Sequence, residues 1–365
     1  MRICYLSDIR SEHTQKWCKY FSEQGYEVHV ISLRSGEFKG VKVHSLDVED
    51  GTEHKNKLTG KLAYIKKIKN IRNIINEIKP DILHAHYASS YGLLGALMNY
   101  HPFIISMWGS DILLFPKNGP IQKQIIKYNL KKADYIFSTS EYMIKEAKLY
   151  TNKEIEHTPF GIDLEIFNSS KINKALNNKE INLGIVKALK EVYGIKYLIE
   201  AVKEVKVQNP EYKITLNILG EGPQKEELIS LAEKLNILDS IKFYNKRDLR
   251  GVADFYRNID IGVYPSLSES FGVTVLEAQA MGVPVIVSDI DAFKETTIPN
   301  ETSLICKKKD SESIVKAINK LIKDKNKYEE MSEKAKEFVA NNFDEKEIFN
   351  NINKLYENIL NKTKK

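Results

Sequence analysis

The chain has 365 residues, of which 42% are hydrophobic and 28% charged, and a net charge of +6. That length suits two domains better than one core, and the composition is globular, which excludes a disordered or fibrous chain. No run approaches the ~18 consecutive apolar residues of a membrane span. The modest positive charge fits an anionic small molecule or an acidic membrane surface, with no nucleic-acid partner expected. The opening MRICYLSDIRSEH turns polar by Ser7, so a signal peptide is not expected and the cytoplasm is the expected location. Cys4, Cys18 and Cys306 lie far apart without zinc spacing and are expected as buried free thiols.

Residues 2–7 form an apolar run expected as a buried strand. A loop at 8–12 and a helix over 13–24 follow, with Trp17, Cys18 and Phe21 on one helical face. Gly25 ends the helix, and residues 27–33 are the next strand. This β-loop-α-β order opens a doubly wound sheet. Residues 55–79 make a basic helical segment with Lys55, Lys57, Lys61, Lys66, Lys67, Lys69, Arg72 and Lys79. Leu62, Ile65, Ile68, Ile71, Ile75 and Ile78 give it an apolar stripe. Such a helix either rests on anionic lipid or packs on the core with a solvated lysine face. After Pro80, residues 82–85 form a strand with His84, His86 and Tyr87 at its carboxyl end, where open α/β sheets bind ligands. The two histidines have no visible third partner for a metal. Residues 103–107 are a strand ending in Trp108-Gly109-Ser110-Asp111. Residues 112–132 mix apolar side chains with Lys117, Lys123, Lys127 and Lys131, and 135–139 are the last strand of this half.

The polar run 168–180, rich in Asn and Lys, is the expected hinge. A second α/β pattern then starts, with a strand at 181–186, the loop Lys187 to Gly194 and a helix over 195–208. Residues 213–219 are a strand closed by Gly220-Glu221-Gly222-Pro223, and 242–244 are another. The half is organised around 261–289, IGVYPSLSESFGVTVLEAQAMGVPVIVSD. Pro265 stops a strand over 261–264, a polar loop runs to Gly272, and a helix over 273–281 ends at Gly282. A loop rising into a helix N-terminus favours anions. Ser270, Phe271, Gly272, Val273 and Thr274 are placed to offer amides to a phosphate, and Gly272 permits close approach. Glu269 and Glu277 flank this site as acceptors for sugar or ribose hydroxyls. The bland alternatives are a Thr274-x-x-Glu277 capping box and a solvated loop carboxylate at Glu269. Residues 311–325, 328–341 and 345–360 are expected helices.

The long ordered pattern at 261–289 resembles the E-x7-E signature of the retaining glycosyltransferases of family four, which have the GT-B fold. Glu269 and Glu277 carry that spacing inside a P-S-x-x-E-x-F-G frame. The resemblance extends over nearly the whole chain and implies that Glu269 lies at the donor sugar and Glu277 on the nucleotide ribose. By the same resemblance Lys187 and a second lysine grip the diphosphate. Val192 stands where that second lysine is usual, so Lys190 is its substitute, with plain surface open for both. Gly220 opens the family's G-x-G-P turn, and Lys246 and Arg247 lie where relatives hold the base. In the first half, His84 and His86 match a D-I-x-H-x-H segment that lines the acceptor side. Trp108-Gly109-Ser110-Asp111 resembles H-G-[ST]-D with Trp108 in the histidine's place. Tryptophan exchanges no proton, but it can stack on a sugar face. Asp111 is open between a substrate hydroxyl and an N-cap. His13 starts its helix near the expected cleft, as a ligand contact or as a capping or surface residue. The first loop lacks the Gly-Gly pair of relatives, and Thr158-Pro159-Phe160-Gly161-Ile162-Asp163 resembles their N-G-V-D linker.

The expectation is therefore two doubly wound, Rossmann-like α/β domains facing across a cleft. Residues 1–165 bind the acceptor, 166–180 are the hinge, 181–344 bind the donor, and 345–365 return as a helix to the first domain. Catalytic roles fall to Glu269, Lys187 and Asp111. The reaction implied is transfer from a nucleotide-diphosphate sugar, UDP-sugar favoured, to a glycan or lipid-linked acceptor with retention, in cell-surface polysaccharide or glycolipid assembly. No cofactor or metal is expected, and Asp289-Ile290-Asp291 is rejected as a metal-binding D-x-D. Peripheral contact with the inner membrane face is an accompanying expectation. The alternatives are a nucleotide-sugar 2-epimerase on the same fold and a non-catalytic sugar-binding protein.

Overall fold

The computed structural model describes residues 1–48, 66–168 and 179–363. The 55–79 segment is therefore described only from Lys66 on, so Lys55, Lys57, Lys61, Leu62 and Ile65 lie outside the described residues, as does most of the expected hinge. The chain forms two compact units, one of Met1–Pro159 with Ile348–Lys365, the other of Phe160–Glu347.

The strands of the first unit are β1 (Arg2–Leu6), β2 (Glu27–Ser32), β3 (Lys42–Ser45), β4 (Ile82–His86), β5 (Phe103–Met107), β6 (Tyr135–Ser138) and β7 (Glu156–His157). They pair in parallel in the order β3-β2-β1-β4-β5-β6-β7. β4 and β5 are buried at every position, the polar His84, His86 and Ser106 included, as befits a parallel sheet covered on both faces. The helix Glu12–Glu23 buries Thr14, Trp17, Cys18 and Phe21. The helix Ile68–Ile78 buries Ile71, Ile75 and Ile78, so the described part of the segment's apolar stripe faces the core. The final helix, Glu345–Thr363, buries Ile348, Phe349, Ile352, Tyr356 and Ile359 at helical spacing. Phe349 stacks on Tyr20 at 4.9 Å between ring centres. All three cysteines are free and buried.

The second unit repeats the design with β8 (Glu180–Val186), β9 (Lys213–Leu219), β10 (Ile241–Tyr244), β11 (Ile261–Tyr264), β12 (Val285–Ser288) and β13 (Ser303–Cys306). Its order is β10-β9-β8-β11-β12-β13, again all parallel. Both orders are doubly wound, and each reverses direction once, between β1 and β4 and between β8 and β11. The chain enters and leaves the second unit side by side. The Ile162 amide donates to the Phe343 carbonyl at 2.8 Å, and the Glu345 amide returns the bond to Ile162 at 3.1 Å. Gly161 permits this crossing, because a Cβ there would sit 2.4 Å from the Glu345 Cα.

Polar bonds from Tyr20 to Asn350 and from Tyr26 to Asn353 hold the last helix within the first unit, and a third is buried. The fully buried Tyr356 hydroxyl meets His84 Nδ1 at 2.5 Å. Tyr356→Phe leaves that ring nitrogen buried without a partner and is expected to cost about 1–3 kcal/mol. Both tryptophans, Trp17 and Trp108, belong to this unit, so tryptophan fluorescence in a thermal melt reports its stability directly. An unchanged melting temperature would contradict the assignment.

Candidate active site

The carboxyl ends of β8 and β11 flank the point where the second sheet reverses. Val186 ends β8, and the next residue is Lys187. β11 ends at Tyr264, and its loop carries Ser266 and Glu269. The Lys187 ammonium forms an ion pair with Glu269 Oε1, and the two side chains are only 9% and 8% exposed. Ser266 Oγ donates to the same carboxylate oxygen at 3.2 Å. The ammonium also lies 5.0 Å from the centre of the Tyr193 ring. Burial raises the Tyr193 hydroxyl, and the charge of Glu269 adds to the effect. Glu269 is thus no solvated loop carboxylate.

Backbone contacts hold the two loops together. The Leu267 amide donates to the Val192 carbonyl at 2.7 Å. Gly220 presses on the Lys187 carbonyl, where a Cβ would be 2.0 Å away. Its φ of +150° suits only glycine well. Lys190 is exposed on this loop, just before the short turn Glu191–Tyr193. Lys246 and Arg247 follow β10; the Lys246 amide reaches Glu221 Oε1 at 3.3 Å, and the Arg247 guanidinium lies over the Tyr244 ring.

The helix Val273–Ala280 starts from Gly272, which has φ +104° and caps without a side chain. The amides of Val275 and Leu276 already bond to the Gly272 carbonyl. Those of Ser270 to Thr274 precede them, where a helix start supplies donors. Thr274 is inside the helix rather than at its cap, so the capping-box reading of Glu277 fails. Glu277 lies in the second turn and is 7% exposed. The Phe271 side chain is an anchor, packed edge-on against Phe160 and Phe343. Asp291 of the D-x-D pattern pairs with Lys294 at 2.8 Å. Among the described residues no three His, Cys, Asp or Glu side chains group to hold a metal.

The first unit gives its polar residues other work than the sequence suggested. His84 is fully buried, with Nδ1 on Tyr356 and Nε2 on Ser106 Oγ at 2.8 Å. It braces the core and does not line an acceptor surface. His86 joins β4 to β1 across the reversal point through Ser7 Oγ at 3.1 Å, and Ser7 bonds Thr14 Oγ1 at 2.6 Å. Trp108 is 7% exposed and lies on the His86 ring at 4.4 Å, which leaves little of the indole for a sugar. His13 is half-buried and meets the Trp108 edge at 5.8 Å. Asp111 is neither an N-cap nor open to a substrate hydroxyl. The cap of its short helix is Gly109, and Asp111 is 1% exposed. Its oxygens accept from the amides of Ala88 at 2.7 Å, Gly109 at 2.8 Å and Trp108 at 3.3 Å. It staples the loops after β4 and β5. Sequence reasoning missed Tyr193 and Ser7, and only the P-S frame hinted at Ser266.

Family models agree with this architecture in both units. Residues 2–140 match the glycosyl transferase 4-like model, and residues 167–338 match glycosyl transferases group 1. The chain belongs to the group 1 glycosyltransferases. This transferase is 24% identical over 94% of its length to the capsular polysaccharide biosynthesis glycosyltransferase CapM of Staphylococcus aureus, 92% of which is covered. Sucrose-phosphate synthase from Thermosynechococcus elongatus superposes with a TM-score of 0.83 at 18% identity, over 98% of this chain and 99% of that one. Anabaena HepE in complex with UDP-glucose gives a TM-score of 0.78 at 18% identity, over 98% and 100%. The fold of the transferase is GT-B.

Three histidines of the first unit are held neutral. Burial lowers His84 to about 3 and His13 to about 4, and it takes His86 well below the ordinary 6.5. Below the ordinary value the unfolded chain binds protons that the folded one refuses. Their contribution to stability is thus whole above pH 6.5 and shrinks as pH falls toward 4. The tryptophan-detected melting temperature is expected to be clearly lower at about pH 5 than at about pH 7.5. Equal values would contradict neutral histidines at these positions.

Proposed function

We propose that the enzyme transfers a hexosyl group from a nucleotide-diphosphate sugar, UDP-sugar first, to an acceptor hydroxyl with retained anomeric configuration. The observation that carries this reading is the buried Lys187–Glu269 pair at the sheet reversal, four residues before the helix that starts at Val273. In this reading the Lys187 ammonium meets the charge that grows on the departing diphosphate. The amides of Ser270 to Thr274 donate to phosphate oxygens. Glu269 and Glu277 accept from sugar and ribose hydroxyls, and Lys190 is a further cation for the diphosphate. The bond from the anomeric carbon to the diphosphate breaks as the acceptor oxygen bonds to that carbon on the same face. The acceptor proton passes to the leaving phosphate oxygen, so no histidine base is required. Lysine and amides supply the positive charge, and the reading calls for no metal. The UDP-glucose held by HepE and the capsular role named for CapM support the donor class and a place in cell-surface polysaccharide or glycolipid assembly.

Glu269→Gln is expected to lower turnover at least ~100-fold while circular dichroism stays that of the parent. A thermal-shift screen of nucleotide sugars identifies the donor to use, because a bound ligand raises apparent stability. Near-normal turnover in the variant would remove Glu269 from the site.

The reading includes peripheral contact with an anionic membrane surface. No described helix is long and apolar enough to cross a membrane. The helix Pro120–Lys132 carries Lys123, Lys127, Lys131 and Lys132 with no acidic residue. Beside them Leu114, Ile121 and Tyr128 are 59%, 53% and 39% exposed, and a shallow apolar groove of about 400 Å³ runs along Leu93, Pro120, Ile121, Gln124, Ile125 and Tyr128. Lysines near an anionic bilayer each contribute ~1 kcal/mol. Co-sedimentation with phosphatidylglycerol vesicles is expected to exceed that with phosphatidylcholine, and Lys123→Glu with Lys127→Glu is expected to weaken it about tenfold or more. Equal binding to both vesicles would refute the contact.

A further inference from the structure

Two tyrosines from different elements meet beneath the start of the helix Val273–Ala280. Tyr264 is the last residue of β11, and Tyr256 lies on the helix Leu249–Arg257. Both are fully buried, and their hydroxyl oxygens are 2.9 Å apart. Both converge on one acceptor, the carbonyl of Thr274, at 2.8 Å from Tyr256 and 3.2 Å from Tyr264. Thr274 is the second residue of the helix, in the turn whose amides the donor reading directs at phosphate, and Glu277 follows three residues later. A carbonyl inside a regular helix already accepts the helix's own amide, so its backbone accounting needs neither hydroxyl. Phenylalanine would fill the same apolar space without burying two more polar atoms. Burial lifts both hydroxyls well above their ordinary value, and the charge of Glu277 adds to this, so both stay protonated donors.

We infer that Tyr256 and Tyr264 are positioning residues for the donor. Their hydroxyls pin the first helical turn to the end of β11 and so hold its amides and Glu277 in register with the diphosphate and ribose. The inference rests on the donor site proposed above. It concerns a contact made by hydroxyl protons, so removal of the hydroxyl alone tests it.

The matching control is Tyr328, another buried tyrosine of the same unit, whose hydroxyl donates to the Asp260 carbonyl at 2.9 Å. Asp260 precedes β11 at its amino end, opposite Tyr264. Isothermal titration with UDP, with GDP and ADP in parallel, is compared for the parent, Tyr256→Phe, Tyr264→Phe, the double variant and Tyr328→Phe. The single variants at the helix are each expected to weaken nucleotide binding about fivefold, as loss of one hydrogen bond's contribution implies, and the double variant more. Tyr328→Phe is expected to lower the melting temperature as they do while keeping the parent's affinity. Parent-like affinity in the double variant, or equal weakening in Tyr328→Phe, overturns the positioning role. A parent protein that binds none of the three nucleotides instead removes the donor site itself.

Discussion

A lysine and a glutamate buried together at the end of a parallel sheet constrain one another. Either charge alone in that place would carry a large desolvation penalty, and removal of one strands the other. Together they join the loop after β8 to the loop after β11, and Ser266 completes the coordination of the carboxylate. The glycines follow from this arrangement. Gly220 exists because the Lys187 carbonyl must be passed at close range, and Gly194 does the same against the Pro265 carbonyl. The loops are thus shaped around one ion pair, and the helix at Val273 inherits its placement from them.

The two units share a sheet order but treat their reversal points differently. In the first, Ser7, His86, Trp108 and His13 form a neutral, largely aromatic cluster, and burial keeps the imidazoles uncharged. In the second, the corresponding place holds a cation, an anion and the start of a helix. One architecture therefore encloses an aromatic cluster in one unit and an ion pair in the other. A fold of this kind does not dictate chemistry; the side chains at strand ends do.

Most of the fold was legible in the sequence, because parallel strands buried on both faces leave unbroken apolar runs and the helices keep a clear stripe. The pairing of Glu269 with Lys187 was legible only as two motifs of one site, since their contact spans loops 82 residues apart by the numbering. The errors were non-local too. His84 and His86 share one face of β4, as their spacing says, but the helix bearing Tyr356 that covers His84 comes at the far end of the chain. Asp111 was weighed against its sequence neighbours, whereas its decisive partner is the amide of Ala88 on another loop. The capping-box template fitted Thr274 and Glu277 by spacing, and it failed because Gly272, at positive φ, starts the helix two residues earlier.

The crossing at Gly161 has a consequence for inheritance. The second unit begins and ends at neighbouring points, tied by the bonds between Ile162, Phe343 and Glu345. A module whose two ends meet can be exchanged as a cassette, because its host sees one junction rather than two distant ones. That cassette can then be swapped while the rest of the gene is left in place, with the glycine as the feature every replacement must keep.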